Sequence, residues 1–323
     1  MRIHLWLASF LILTLGYALP GYAQDISDTD PSSEAAAQIA TGPQFDVALG
    51  IGMLRGDTRY EIGGLATWSD GSTLAQPDPT SQLIWPLDVY MLHLNADILL
   101  ADRFKLSLGV KKNIRDSAGK MEDSDWGIYW LDGIAGARQD TLDYYSESST
   151  DLDALIWDAT AGYVLYLHPS LTIIGLLGYV HEDFDIDAYN TTQWYPSYPL
   201  YTGNTLPPEY YNRKMITYEI TYDIPYLGLE TTWNVNDAIR LQANAGYTTY
   251  AKAEDKDHHL VGAYGQGSIS KTDADGRAWM YGFHGTALLS RHWALGAGYD
   301  FLKIEVHGDT DTTFGAFDET CSI

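Results

Sequence analysis

Two short motifs have the residue types and spacing for joint acid–base chemistry. One is Asp123-Ser124-Asp125 and the other is Asp257-His258-His259. Residues i and i+2 of a strand point to the same face, so each motif presents two functional groups side by side. A carboxylate beside an imidazole raises the imidazole's pKa and orients its tautomer. Such a couple can take a proton from water near neutral pH. Two close carboxylates repel, which raises one pKa and allows a shared proton. Together these groups suit hydrolysis by an activated water, without a covalent intermediate. Each motif alone also fits a solvated strand end or a loose cation site. A metal site built from Asp255, Asp257, His258 and His259 matches no standard zinc spacing. Nucleophile-elbow, zinc-protease and phosphate-loop motifs do not occur in the sequence. His93 and His284 fall within strand-like segments and read as structural. No cofactor is expected.

The elements that must position these groups read as strands. In 216–226, Ile216, Tyr218, Ile220, Tyr222, Ile224 and Tyr226 alternate with Thr217, Glu219, Thr221 and Asp223. The same period of two runs through 155–167, 238–249 and 278–289. These runs are longer than the usual strand of about five or six residues in globular sheets. They approach what a tilted membrane strand needs. Short connections fall at 101–103, 168–170, 234–237 and 290–292, and long polar ones near 67–80, 126–151, 190–213 and 254–274. Short turns at one end and long loops at the other are the layout of an outer-membrane barrel. The fold expected is all-β, an antiparallel transmembrane β-barrel of the ten-stranded type. Nine strands are readable, at roughly 44–66, 81–100, 104–123, 152–167, 171–187, 214–233, 238–253, 276–289 and 293–306. Residues 307–323 are polar, which leads to the expectation of a missing C-terminal strand and a truncated chain.

Composition sets the compartment. Residues 1–23 read as an export signal: Arg2 and His4, an apolar run from Leu5 to Leu19, Pro20, then small residues at Gly21 and Ala23. Cleavage is expected after Ala23. The acidic, Ser- and Ala-rich stretch 24–43 reads as a flexible lead-in, and 44–323 as the barrel with long extracellular loops. No segment of the sequence beyond the signal is apolar for the ~20 residues of a helical span. The chain carries 43 acidic residues against 19 Lys and Arg, a net charge of −24, which argues against nucleic acid as a partner. Cys321 is the one cysteine, so an internal disulfide is excluded. The 24 tyrosines, 10 tryptophans and 30 glycines fit a barrel with aromatic girdles. Its partners would be a peptide or protein substrate and the lipid of the bacterial outer membrane, with the chain acting as a monomer. Two other functions fit the layout: loops that bind a partner or surface without catalysis, and a small channel.

From about Leu49 to Tyr299 the chain resembles the omptins, ten-stranded outer-membrane barrel proteases. The stretches carrying the resemblance are 52–58 (GMLRGDT), 81–85 (SQLIW), 119–126 (GKMEDSDW), 224–229 (IPYLGL) and 252–259 (KAEDKDHH). It implies an endopeptidase of aspartic type. In it Asp257 and His259 activate a water that Asp123 and Asp125 help to hold, and Asp255 binds substrate. The chain departs from the family pattern in two places. The second acidic residue of the omptin pocket for a basic side chain falls at Tyr60, with Glu61 next to it. A one-residue shift turns a side chain to the opposite face, so preference for Arg or Lys is not implied. Omptins also bind lipopolysaccharide through an outward cluster with basic members. The matching positions here are His181, Asp183 and Thr221.

Overall fold

The computed structural model describes residues 2–8, 13–19, 44–67, 69–101, 103–197, 209–260, 267–290 and 293–315. The short first strands are β1 (Arg2–Ala8), β2 (Leu13–Leu19), β3 (Gln44–Leu54), β4 (Gly56–Ile62), β5 (Leu65–Thr67), β6 (Thr73–Ala75), β7 (Ser81–Pro86), β8 (Val89–Leu100), β9 (Phe104–Asn113) and β10 (Ser117–Trp126). A one-turn helix, α1 (Ile128–Leu131), follows. Long strands complete the chain: β11 (Leu142–His168), β12 (Leu171–Trp194), β13 (Glu209–Asn234), β14 (Ile239–His259), β15 (Ser268–Leu288) and β16 (Trp293–Phe314).

All but β5 and β6 join one closed antiparallel sheet. The short strands are stacked in pairs, β1 with β2, β3 with β4, β7 with β8 and β9 with β10. Each pair makes one stave, and with β11 to β16 the ring has ten. Closure satisfies the backbone on both edges of every stave, which hydrocarbon demands. Nine staves lie where the alternation places them. The tenth position, beside β16, is filled by β1 and β2. Arg2–Ala8 pairs with both β16 and β4, and Leu13–Leu19 with both β16 and β3. The N-terminal segment therefore occupies the gap attributed to a missing C-terminal strand. Residues 20–43, with the expected cleavage site and lead-in, and residues 316–323, with Cys321, lie outside the described residues.

The staves are far longer than the lipid requires. β11 has 27 residues and β13 has 26, against about 9–11 for a tilted span. The outward face of β11 shows where lipid stops. Leu155, Trp157, Tyr163 and Leu165 are exposed apolar groups, whereas Glu147, Ser149, Asp151 and Asp153 continue the same outer face above them. Tyr179, Tyr247 and Trp279 sit near this boundary, with ring contacts Trp157–Tyr179 at 5.3 Å and Tyr247–Trp279 at 5.7 Å. Aromatic girdles occupy such interfaces in outer-membrane barrels.

The four short turns fall at the opposite end, as the spacing indicates. The expected long loops are much shorter. Residues 142–151, 190–194, 209–213, 254–259 and 268–274 are strand, so the wall rises well above the lipid before the connections begin. Polar residues on both faces hid this upper half, because the alternation there is not apolar against polar. Inside the upper half the barrel is filled. Tyr60, Trp85, Phe184, Tyr218 and Tyr222 are fully buried with Leu54, Leu87, Met91 and Met121. Trp85 stacks on Tyr218 at 5.0 Å, and Tyr60 meets Tyr218 edge-on at 6.2 Å. This packing is the floor beneath the rim.

Ring closure through the N-terminal stave makes a direct prediction. A refolded chain starting at Gln24 leaves β3 and β16 with unpaired edges, so its melting temperature should fall and its proteolysis in detergent should quicken. Identical melting curves for the two chains would show that the ring closes by another route.

Candidate functional site

The two motifs occupy the last turns of staves on different parts of the ring. Asp123 and Asp125 end β10, where their backbone pairs with Leu83 and Ser81 of β7. Asp257 and His259 end β14, opposite Tyr218 and Ile216 of β13. All four side chains face inward, as same-face spacing requires. His259 Nε2 lies 3.1 Å from Asp257 Oδ2. The charges of Asp257 and His259 both act on Asp123, and that of His259 on Asp125. The fold thus brings the four predicted residues close enough to act on one another, above the aromatic floor.

Electrostatics divides their roles. Burial, followed by repulsion from Asp125, holds the Asp123 carboxyl well above the ordinary carboxylate range. Burial also raises Asp125, and a hydrogen bond from Ser81 with the nearby His259 partly offsets this. These two carboxyls therefore titrate as a pair. For His259, burial favours the neutral ring, but Asp257, with Asp123 and Asp125 behind it, outweighs burial and lifts the imidazole to about 9. The Asp257 side chain is 4% exposed while His259 keeps 30%, so the imidazole is the member open to the cleft.

Asp255 lies one pleat below Asp257 and is 6% exposed. Tyr218 donates its hydroxyl to Asp255 Oδ2 at 3.2 Å. Burial and then the Asp257 charge push Asp255 up to about 7, against hydrogen bonds from Thr272 and Tyr218. The Oδ1 atoms of Asp255 and Asp257 are buried without a hydrogen-bond partner among the described residues. Tyr60 is wholly buried on the same floor. Glu61 turns away and takes a 2.6 Å hydrogen bond from Gln82 on the neighbouring strand. His258 also turns away from His259, toward an outer groove that Lys256 and Glu219 line, which divides the metal set considered from sequence.

Residues that pattern reading missed hold the rim together. Ser81 supports Asp125. Asp143, 3% exposed, accepts the Tyr129 backbone N–H at 3.1 Å and the Ser197 hydroxyl. It therefore ties α1 and the end of the β12 connection to β11. Trp194 packs on Tyr145 and Tyr195 on Tyr144; residues 198–208 lie outside the described residues. Asp143 and Tyr144 lay in an expected loop, so no strand signal marked them. On the outer wall His181 Nδ1 is 2.8 Å from Asp223 Oδ1 and its ring lies against Trp157.

This is a transmembrane barrel of outer-membrane type with a carboxylate–imidazole cleft at its extracellular rim. The family model described as Omptin family matches residues 41–266. A search of curated proteins finds no match. Among solved structures, the outer membrane protease OmpT from Escherichia coli is 12% identical with a TM-score of 0.49, over 95% of this chain and 97% of that one. The toluene transporter TbuX of Ralstonia pickettii is 11% identical with a TM-score of 0.31, over 93% and 89%. The toluene transporter TodX of P. putida is 11% identical with a TM-score of 0.26, over 96% and 89%. The chain belongs to the Omptin family. It is accordingly a protein of the bacterial outer membrane, a protease of omptin type that acts on peptides or proteins.

The Asp143 tie can be tested separately. Asp143→Ala leaves a buried amide and hydroxyl unsatisfied, which costs about 1–3 kcal/mol locally. Limited proteolysis should then cut within 127–141 sooner than in the unaltered chain, with the barrel melting temperature little changed.

Proposed function

We propose that this omptin hydrolyses peptide bonds by the aspartic-type route, with a water activated by Asp257 and His259 and held by Asp123 and Asp125. The observation that carries the reading is the 3.1 Å contact between His259 Nε2 and Asp257 Oδ2, close enough to Asp123 for both groups to act on its carboxyl. With Nε2–H donated to Asp257, the opposite nitrogen, Nδ1, is the base. It takes one proton from water as the oxygen adds to the scissile carbonyl carbon. The same proton then passes to the leaving amine as the carbon–nitrogen bond breaks. Asp123, whose carboxyl burial and Asp125 hold well above the ordinary carboxylate range, donates a hydrogen bond to the water or to the developing oxyanion. Asp255 serves as a substrate-binding residue through its unpartnered Oδ1. We also propose that outer-membrane lipid surrounds a monomeric barrel along the exposed apolar belt.

A channel is disfavoured by the packed floor of Trp85, Tyr218, Tyr222 and Phe184. Barrels of this size are generally filled by their own side chains.

His259→Ala or Asp257→Ala should lower kcat for a cleaved peptide by about 10²–10⁴-fold with the barrel still folded. Full activity in both variants would remove the couple from the mechanism. The pH response carries a second test. An imidazole at about 9 is in its basic form to only about 1% at pH 7. Therefore kcat/KM should climb with pH toward an inflection near 9, and Asp257→Asn should move that inflection down. The sign for stability is opposite. The ion pair contributes fully below the free-histidine value of 6.5 and is lost as pH rises through about 9. Melting temperature should therefore fall across the range in which activity rises.

A further inference from the structure

On the inner face of the rim a row of side chains continues from Asp123. Asp123 on β10 pairs with Ser146 on β11, and Ser146 pairs with Gln193 on β12. Residues directly opposite on paired strands point to the same face. Asp123 and Ser146 are buried on the inner face, so Gln193 faces inward with them. It stands two strands from Asp123, on the order of 10 Å away. β11, β12 and β13 lie between β10 and β14. Gln193 is therefore on the wall that links the Asp123/Asp125 pair to the Asp257–His259 couple.

A break in β12 puts it there. Phe184, Ile186 and Ala188 are the buried, inward members of this strand. Unbroken alternation would turn residue 193 outward. Between Tyr189 and Thr192 the register slips, so that Asn190 and Thr191 stand opposite Ser148 alone. Asn190 takes a left-handed φ of 55°, which asparagine tolerates better than most residues. The Thr191 and Ser148 hydroxyls, 2.7 Å apart, fasten the bulge. Bulges re-aim side chains and are frequent beside active sites.

Tyr144 then fixes the amide. It pairs with Asp125 and lies within reach of the Asp123 and Asp125 charges. Its hydroxyl donates to Gln193 Oε1 at 3.1 Å, and Tyr195 braces its ring edge-on at 5.6 Å. With Oε1 taken, the two N–H groups on Nε2 are the donors the amide still offers. No described residue accepts from them. Gln193 is half-buried, so this end remains accessible to an incoming peptide.

The charge of the rim indicates what such a donor is for. The carboxyl groups of Asp123, Asp125, Asp255 and Asp257 stand against the single imidazole of His259. Carboxylates repel an oxyanion forming beside them, so preorganised donors must face it. In the hydrolytic route Asp123 supplies one such donor.

We propose that Gln193 is a further catalytic residue: its amide N–H groups, oriented by Tyr144, bind the scissile carbonyl oxygen and stabilise the negative charge that grows there as water adds. This rests on the peptide-hydrolysis reading and supplies its second oxyanion donor.

The test uses the refolded full chain in detergent and a quenched fluorescent peptide selected for cleavage by the unaltered chain. Gln193→Ala should lower kcat by about 10²–10³-fold, as loss of an oxyanion donor does, with KM little changed. Gln193→Glu keeps the length and the acceptor for Tyr144 but loses the N–H groups, and should be as slow. Tyr144→Phe should show a smaller loss. In all three the inflection near pH 9 should stay in place, since His259 is untouched, and melting curves check that each variant folds. Two inhibitors of the same sequence give a readout besides turnover. One carries a phosphonate at the scissile position, which presents tetrahedral oxyanions; the other carries a reduced amide, which has no carbonyl oxygen. Gln193→Ala should weaken the phosphonate by about the factor lost in kcat and leave the reduced amide unaffected. An equal loss for both inhibitors, or a change in KM alone, would overturn the proposal. Cleavage lost in His259→Ala but kept in Gln193→Ala would overturn this inference and leave the hydrolytic reading standing. If the unaltered chain cleaves no peptide, both fall together.

Discussion

The structure depends on one constraint: in hydrocarbon every backbone N–H and C=O must find a partner within the protein. A sheet meets that demand only when its first and last strands pair. Here closure joins β16 to the two short N-terminal strands, which in turn meet β3 and β4. Once the ring closes, side chains have only two destinations. Outward groups meet lipid or solvent according to height, and inward groups share a narrow interior. The apolar belt, the packed floor and the polar chamber all follow from that partition.

The interior is stratified. At the bottom, lysines and carboxylates face each other across a polar chamber. Above them lies a floor of aromatic and aliphatic side chains with no solvent exposure. The rim groups stand on that floor, and this explains their electrostatics. Buried above an apolar layer, Asp123 and Asp125 cannot both ionise cheaply, while Asp257 lies against the His259 ring and raises the imidazole. The low dielectric that penalises these groups singly also strengthens their action on each other. The floor also distinguishes this chain within the family pattern. Tyr60, packed edge-on against Tyr218, occupies the inward position where omptins carry an acid. Asp255 stands beside the aromatic cluster, and its Oδ2 receives the Tyr218 hydroxyl.

Height above the membrane is the other consequence of the long staves. The wall continues for several residues past the last lipid-facing side chain, so the cleft stands in water on a rigid sheet rather than on loops. Sites built on strands hold their geometry better than sites on loops. Asp143 extends that order to the connections by tying α1 and Ser197 to the wall.

The sequence by itself determined the antiparallel barrel, nine of its staves and the end carrying the short turns, because lipid imposes a strict apolar alternation that a linear pattern displays. The resemblance to omptin motifs pointed to Asp123, Asp125, Asp257 and His259, and i, i+2 spacing on a strand gives each pair a common face. Only the tertiary structure decided the rest. Extracellular strand halves such as 142–151 are polar on both sides, so no periodicity separates them from loops. Ser81, Asp143 and Tyr218 act through partners distant in the chain, and pairing between staves, not local composition, brings them there. The tenth stave was equally hidden, because an apolar N-terminal run reads the same whether it directs export or completes a sheet.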